Sequence, residues 1–343
     1  MIKPSKLNKG DTIATISLSW GGAGDLPHRY QIGKEQIEET FGLKVVETRH
    51  ALRSAEWLDK NPKARAMDLM EAFANPNIKA IFTNIGGDDS IRTLPYMDLE
   101  VIRNNPKIFL GFSDSCVTHF VCYKAGLMSY HGPSVLANFA ENGGMFPYLI
   151  DSIQKTLFSN EIIGEIPQNT TGWTNERLDW FEPSNQNIKR KLNPPIPWKF
   201  LQGSGKVQGR LLGGCVEVLE FLKGTTYFPL LKEWQGKILF LETSEVKISP
   251  EQLKWILRNY AATGVLKTIK GLLFGRPYDN VYANEYEAVI QKVIVEEEGL
   301  TDLPIITQMD FGHSAPTMTL PYNALAEMDM DKETFSILES GIS

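Results

Sequence analysis

The feature that most constrains the fold is an alternation of apolar strand-like runs and helix-like stretches over the first 135 residues. Apolar runs at 12–18, 44–47, 78–84, 107–110 and 127–130 are separated by stretches long enough to hold helices, such as 30–41, stopped by Gly42, and 62–74, opened by Asn61-Pro62. Strand, helix, strand in repetition predicts a parallel sheet wound with helices on both faces, a doubly wound α/β domain. Such sheets bind ligands at the carboxyl ends of their strands. The loops 19–24, 85–90 and 111–115 are therefore expected to gather at one edge. From about 165 to 205 the alternation stops. Pro167, Pro183 and Pro194-Pro195 mark irregular chain, with Trp173, Trp180 and Trp198 among polar residues. A loop of that length in a compact protein is functional or a linker. Strand runs resume at 206–212, 237–242, 271–275 and 318–326, with helices near 251–262 and 285–298. The expected organisation is an N-terminal domain at 1–164, a tryptophan-bearing substrate loop at 165–205 and a smaller, β-rich α/β domain at 206–343.

Composition narrows the function classes. A net charge of −6 without a long basic run argues against nucleic acid or an anionic membrane as partner. No leader-like or membrane-spanning apolar segment is present in the sequence, so a cytoplasmic location is expected. Three cysteines, Cys116, Cys122 and Cys215, cannot all pair and show no CxxC spacing, which fits reduced thiols. No His-Glu-x-x-His or clustered His/Cys pattern suggests a metal.

The chemistry centres on Lys107 to Val117, where Gly111-Phe112-Ser113-Asp114-Ser115 lies between a strand and a helix. That is the layout of a nucleophile elbow, which lifts the serine hydroxyl above the sheet and points the next backbone N–H, that of Asp114, at a developing oxyanion. Ser115 stands where an α/β-hydrolase elbow has its second glycine. The alternative is that Ser113-Asp114 simply caps the helix. Gly86-Gly87-Asp88-Asp89-Ser90 follows the third strand, and paired glycines there can turn a second N–H toward the same oxyanion. A serine nucleophile needs a base, and the five histidines are His28, His50, His119, His131 and His313. His313, in a glycine-bearing loop, and His131, at the end of the fifth strand, are the competitors; structural roles are expected for the others. Glu242 ends the apolar run 238–241, and a buried carboxylate there invites a functional reading, the alternative being that Glu242 or Glu245 caps the sheet edge. A competing outline is a dinucleotide site formed by Gly21-Gly22-Ala23-Gly24 and Glu47, against which stands Pro27 at the third glycine position.

Read together, Gly-Phe-Ser-Asp at 111–114, Ile-Gly-Gly-Asp-Asp-Ser at 85–90, Gly-Arg-Leu-Leu-Gly-Gly at 209–214, Leu-Phe-Leu-Glu at 239–242 and Phe-Gly-His at 311–313 occur in the order of the LD-carboxypeptidase family, which the chain resembles over nearly its whole length. The resemblance implies a Ser-Glu-His triad of Ser113, Glu242 and His313. It also implies oxyanion donors at Asp114 and the Gly86-Gly87 loop, catalysis without metal or cofactor, and a homodimer. Within the family the wording at 86–90 and the tryptophan loop resemble the microcin C immunity branch more than the peptidoglycan-recycling branch. The substrate implied is then an aminoacyl-nucleotide analogue or small peptide, with Trp180 stacking on a base and Asp88 and Asp89 near the ligand. A muramoyltetrapeptide is the alternative. Cys116 and Cys215 depart from the family's usual residues, asparagine being common at the latter. Two further readings remain open at this point: a dinucleotide-dependent oxidoreductase and a silent binding protein of the same fold.

Overall fold

The computed structural model describes all 343 residues. Its strands in chain order are β1 (Thr12–Ile16), β2 (Lys44–Glu47), β3 (Ile78–Thr83), β4 (Ile108–Gly111), β5 (Tyr130–His131), β6 (Gly164–Glu165), β7 (Lys199–Gln202), β8 (Lys206–Cys215), β9 (Lys237–Glu242), β10 (Gly271–Gly275), β11 (Ile305–Met309), β12 (Leu320–Pro321), β13 (Leu325–Asp329) and β14 (Thr334–Ile337). They form two sheets. The first has the order β12-β5-β4-β3-β1-β2, the second β6-β14-β13-β8-β9-β10-β11-β7.

In the first sheet β1 to β5 are all parallel. The step from β1 to β2 runs one way along the sheet and the steps from β3 to β4 and β5 run the other. Because such crossovers are right-handed, the helix Pro27–Phe41 lies on one face and Leu99–Asn104 and Cys116–Ala125 lie on the opposite one. The direction reverses between β1 and β3, and a crevice opens at that point beyond their carboxyl ends. Local signals explain the element ends. Gly42 closes its helix in the left-handed conformation at φ 66°, and the helix Pro62–Ala74 begins with proline at its first position. Asn61 does not cap it; its amide donates to the Trp57 carbonyl instead.

The second sheet has a parallel centre, β8-β9-β10-β11, flanked by antiparallel strands. Two expectations need correction. The run 318–326 is not one strand: the chain turns at Pro321–Ala324, with Asn323 at φ 62°, so β12 pairs with β5 in the first sheet while β13 joins the second. The irregular 165–205 segment also has ordered ends, because β6 and β7 form the two edges of the second sheet. One contiguous apolar core runs through both sheets, with Phe120 stacked on Phe228 and Tyr322 packed against Phe240 where they meet. No helix is long and apolar enough to cross a membrane.

Both flanks of the 165–205 segment are fastened by a buried ion pair. Arg276 and Asp310, each 1% exposed, meet at 2.8 Å. Asp310 also accepts from the Asn169 N–H (3.1 Å) and the Trp198 indole (2.7 Å), while Arg276 donates to the Ile196 carbonyl and lies over Trp173. Breaking such a pair strands a charge in low dielectric. Asp310→Ala is expected to cost about 3–5 kcal/mol of unfolding free energy, measured by urea denaturation, and to release the loop to limited proteolysis.

Candidate active site

The elbow forms as the strand-turn-helix pattern predicts. β4 ends at Gly111, Phe112 is extended, and Ser113 adopts φ 60°, a left-handed conformation that side chains rarely take and that is associated with functional strain. A single 3-10 turn, Ser113–Ser115, leads into the helix Cys116–Ala125. No side-chain cap is formed at this helix start, so the capping role is not what Ser113 performs. Ser115 fits in place of glycine because its hydroxyl donates to Thr83 Oγ1 at 3.2 Å. The Asp114 carboxylate turns inward and accepts the N–H groups of Asp89 (3.0 Å) and Ser90 (2.8 Å), tying the glycine loop to the elbow. Gly86 is thereby pressed against the serine. A Cβ on it would lie 2.8 Å from Ser113 Cβ, 2.9 Å from Oγ and 3.2 Å from the Asp114 nitrogen. The Asp114 N–H is among the first of its turn, which have no intrahelical acceptor.

The second sheet supplies the other side. Glu242 closes β9 with no solvent exposure, and His313 follows β11. His313 Nδ1 lies 2.6 Å from Glu242 Oε2. Gly312, at φ 96°, permits this approach, since a Cβ there would sit 2.7 Å from that same oxygen. Asn175 of the tryptophan loop donates to the His313 carbonyl at 2.7 Å, and Phe112 packs against the ring at 4.9 Å. Burial alone would lower the imidazole pKa, but Glu242, and behind it Glu245 and Glu217, outweigh it and push it up to about 9. Burial raises the Glu242 carboxyl, with His313 opposing. No hydrogen bond joins His313 to Ser113. His313 Nε2 instead faces Glu245 Oε2 at 3.3 Å.

Ser113, His313, Gly86, Gly87 and Trp180 line one cavity of about 390 Å³. Arg29 covers one face of the Trp180 ring, its guanidinium 4.1 Å from the centroid. Asp88 and Asp89 do not line the cavity: Asp88 is exposed, and the Asp89 carboxylate is held by Arg65 and Arg92 at 3.1 and 3.2 Å. Among the other histidines, His28 donates to the Trp180 carbonyl, His50 pairs with Asp68, and His119 is buried between Ser129 and the Gly111 carbonyl. His131, the competitor, is buried behind Glu242. Its Nε2 lies 3.9 Å from Glu242 Oε1, too far for a hydrogen bond, and burial pushes its pKa down. The glycines at 21–24 offer no dinucleotide cradle. They form a short helix start packed on residues 53–55, where a Cβ on Gly24 would meet the Arg53 carbonyl at 2.3 Å, while Glu47 is taken by Tyr30 and Lys34. Spacing gave no sign of a metal set, yet the fold brings ligand atoms of Cys215, Glu242 and His313 within 4.8 Å of one another. Cys215 is there because it pairs in register with Glu242 across β8 and β9. Arg29, Asn175 and Arg177 were not singled out in the sequence, since nothing in their neighbourhood distinguishes them from surface polar residues.

The sequence profile of the LD-carboxypeptidase N-terminal domain matches residues 13–132, and that of the LD-carboxypeptidase C-terminal domain matches 208–328. The chain belongs to the LD-carboxypeptidase family and is a peptidase of that class. It is 28% identical to a putative carboxypeptidase of Vibrio cholerae, over 98% of both chains, and 28% identical to the microcin C7 self-immunity protein MccF of Escherichia coli, over 97% of this chain and 95% of that one. MccF in complex with aspartyl sulfamoyl adenosine superposes with a TM-score of 0.87, at 26% identity and full coverage of both chains. An MccF-like protein from Streptococcus pneumoniae in complex with AMP gives 0.87 at 32% identity, covering 95% of this chain and 98% of that one.

The tight approach of Gly86 predicts that Gly86→Ala displaces the elbow. With a misplacement of this kind costing about a hundredfold in rate, kcat should fall by about that factor while thermal unfolding still reports a folded protein.

Proposed function

We propose that the protein is a serine amidase of the microcin C immunity type, hydrolysing the amide-like bond of aminoacyl-nucleotide analogues. The observation that carries this reading is the meeting of a strained serine and a carboxylate-bound histidine on one cavity that also holds Trp180. Ser113 Oγ attacks the carbonyl carbon and its proton passes to His313 Nε2. Glu242 holds the imidazole through Nδ1 and stabilises the imidazolium, while the N–H groups of Asp114 and of Gly86 or Gly87 receive the oxyanion. The tetrahedral intermediate collapses as His313 returns the proton to the leaving nitrogen. Water, activated by the same base, then releases the acyl group from Ser113. The exposed face of Trp180 stacks on the nucleobase, consistent with AMP and aminoacyl sulfamoyl nucleoside complexes of the similar proteins. A cytoplasmic homodimer belongs to the same reading.

Paired hydrolysis assays test it, one substrate an aminoacyl sulfamoyl adenosine and the other a murein tetrapeptide ending in D-Ala. Cleavage of the nucleotide, falling about 10⁴-fold or more in Ser113→Ala, is expected; tetrapeptide cleavage alone would place the protein in cell-wall recycling. Trp180→Ala should raise KM for the nucleotide roughly five- to hundredfold, the equivalent of a lost base stack, with kcat little changed. Because His313 must be neutral to accept a proton and its pKa is pushed up to about 9, kcat/KM should climb as pH rises and level off near that value.

A further inference from the structure

Glu242 binds His313 through one carboxylate oxygen only. Its other oxygen, Oε1, is buried and has no hydrogen-bond partner. His131 Nε2 stands 3.9 Å from it, and that nitrogen is likewise buried without a partner. Unpaired buried polar atoms are uncommon and costly, and here two of them lie side by side. His131 ends β5, paired with Gly111 of β4 and with Leu320 of β12. It therefore belongs to the sheet that bears the elbow, whereas Glu242 ends β9 of the other sheet. Phe240 and Phe112 pack against its ring at 5.4 and 6.4 Å. The second ring nitrogen, Nδ1, lies 3.9 Å from Cys116 Sγ. Burial keeps His131 neutral, so the ring has a single N–H to place. On Nδ1 it would leave the Nε2 lone pair turned toward a carboxylate oxygen, which repels it. On Nε2 it gives the carboxylate a donor and the thiol an acceptor. Burial pushes the Cys116 thiol up to about 12, so its S–H is retained as that donor.

We propose that His131 is a positioning residue for the reaction: as the Nε2–H tautomer, set by the Cys116 thiol, it holds Glu242 Oε1 while His313 holds Oε2. The proposal rests on the assignment of Ser113, Glu242 and His313 made above. His131 touches no substrate and passes no proton. Its N–H keeps the carboxylate from turning about its terminal torsion, and so fixes the direction in which His313 is aimed. At 3.9 Å the contact in the empty site is one of charge with dipole. Hydrogen bonds of catalytic sites are often long in the empty enzyme and tighten once substrate is bound. The arrangement also ties β5 of one sheet to β9 of the other at the site itself. The titratable groups that face the pair are Cys116 and His119 on the helix Cys116–Ala125, Cys215 ending β8, Glu217 on the helix Val216–Leu222, Glu245 beyond β9 and Tyr322 beyond β12. The Tyr322 hydroxyl donates to the Gly213 carbonyl at 2.9 Å and the Cys215 thiol to Glu217 at 3.2 Å. The donor left for Oε1 is His131.

Nitrogen-15 NMR of the wild-type protein labelled at histidine reads the tautomer without any turnover, with His131→Gln identifying the His131 signals. Nε2 of His131 should carry the proton at neutral pH, and a proton on Nδ1 instead would overturn the proposal. Steady-state hydrolysis then reads the consequence. His131→Phe keeps a planar ring and removes both nitrogens. It should lower kcat by up to about a hundredfold, the cost of a misaimed group, with KM little changed. It should also move the acid limb of kcat/KM to higher pH, because the lost N–H had its positive end toward Glu242 and eased departure of the His313 proton. His131→Gln, whose amide again offers a donor, should recover part of both. A lower rate with an unmoved acid limb and no recovery in His131→Gln would leave His131 a packing role and overturn the proposal. Turnover surviving in Ser113→Ala would instead overturn the hydrolase reading beneath it, to which the NMR result is indifferent.

Discussion

The contact between Glu242 and His313 is the interaction on which the rest of the site depends. A carboxylate with no solvent exposure is costly unless a partner compensates for its lost hydration. Here the partner is a single imidazole nitrogen at 2.6 Å. The fold surrounds that contact with supports. β9 fixes Glu242 between two parallel neighbours, Gly312 removes the side chain that would obstruct it, Asn175 holds the His313 backbone, and Phe112 closes the ring from the elbow side. Because Asn175 comes from the 165–205 segment, the ion pair of Arg276 and Asp310 that secures this segment also serves the site, although it touches no substrate-facing atom.

The two sheets divide the labour. The first presents the serine and the glycine loop as backbone geometry: a left-handed turn after β4 and a close approach of Gly86 that only glycine allows. The second presents side-chain electrostatics: a carboxylate and a histidine at the carboxyl ends of its parallel strands, with further carboxylates around them. The cavity formed where both sets of strand ends converge is lined by Ser113 from one and His313 from the other.

Much of this was legible in the sequence because it is local. The bounds of β2, β9 and β10, the stop at Gly42 and the elbow all follow from periodicity and turn chemistry over a few residues. The run 318–326 misled because apolar residues continue through a turn, and only pairing with β5 and β8 shows where one strand ends and the next begins. The resemblance put Asp89 near the ligand, yet the buried Arg65, distant in sequence, claims its carboxylate. His131 and His313 both end up near Glu242, and no spacing argument separates them. Burial does, by leaving His131 hidden and His313 on the cavity. Glu245 was readable only as an edge residue, since its meaning comes from a ring more than sixty positions away.

The central claim is that Ser113 is a nucleophile activated through His313. Reaction of the purified protein with a fluorophosphonate serine probe, followed by peptide mass spectrometry, tests it most directly. The account predicts one modified residue, Ser113, and a reaction that is lost in His313→Ala. Labelling elsewhere, or labelling of Ser113 that proceeds equally well without His313, would contradict it.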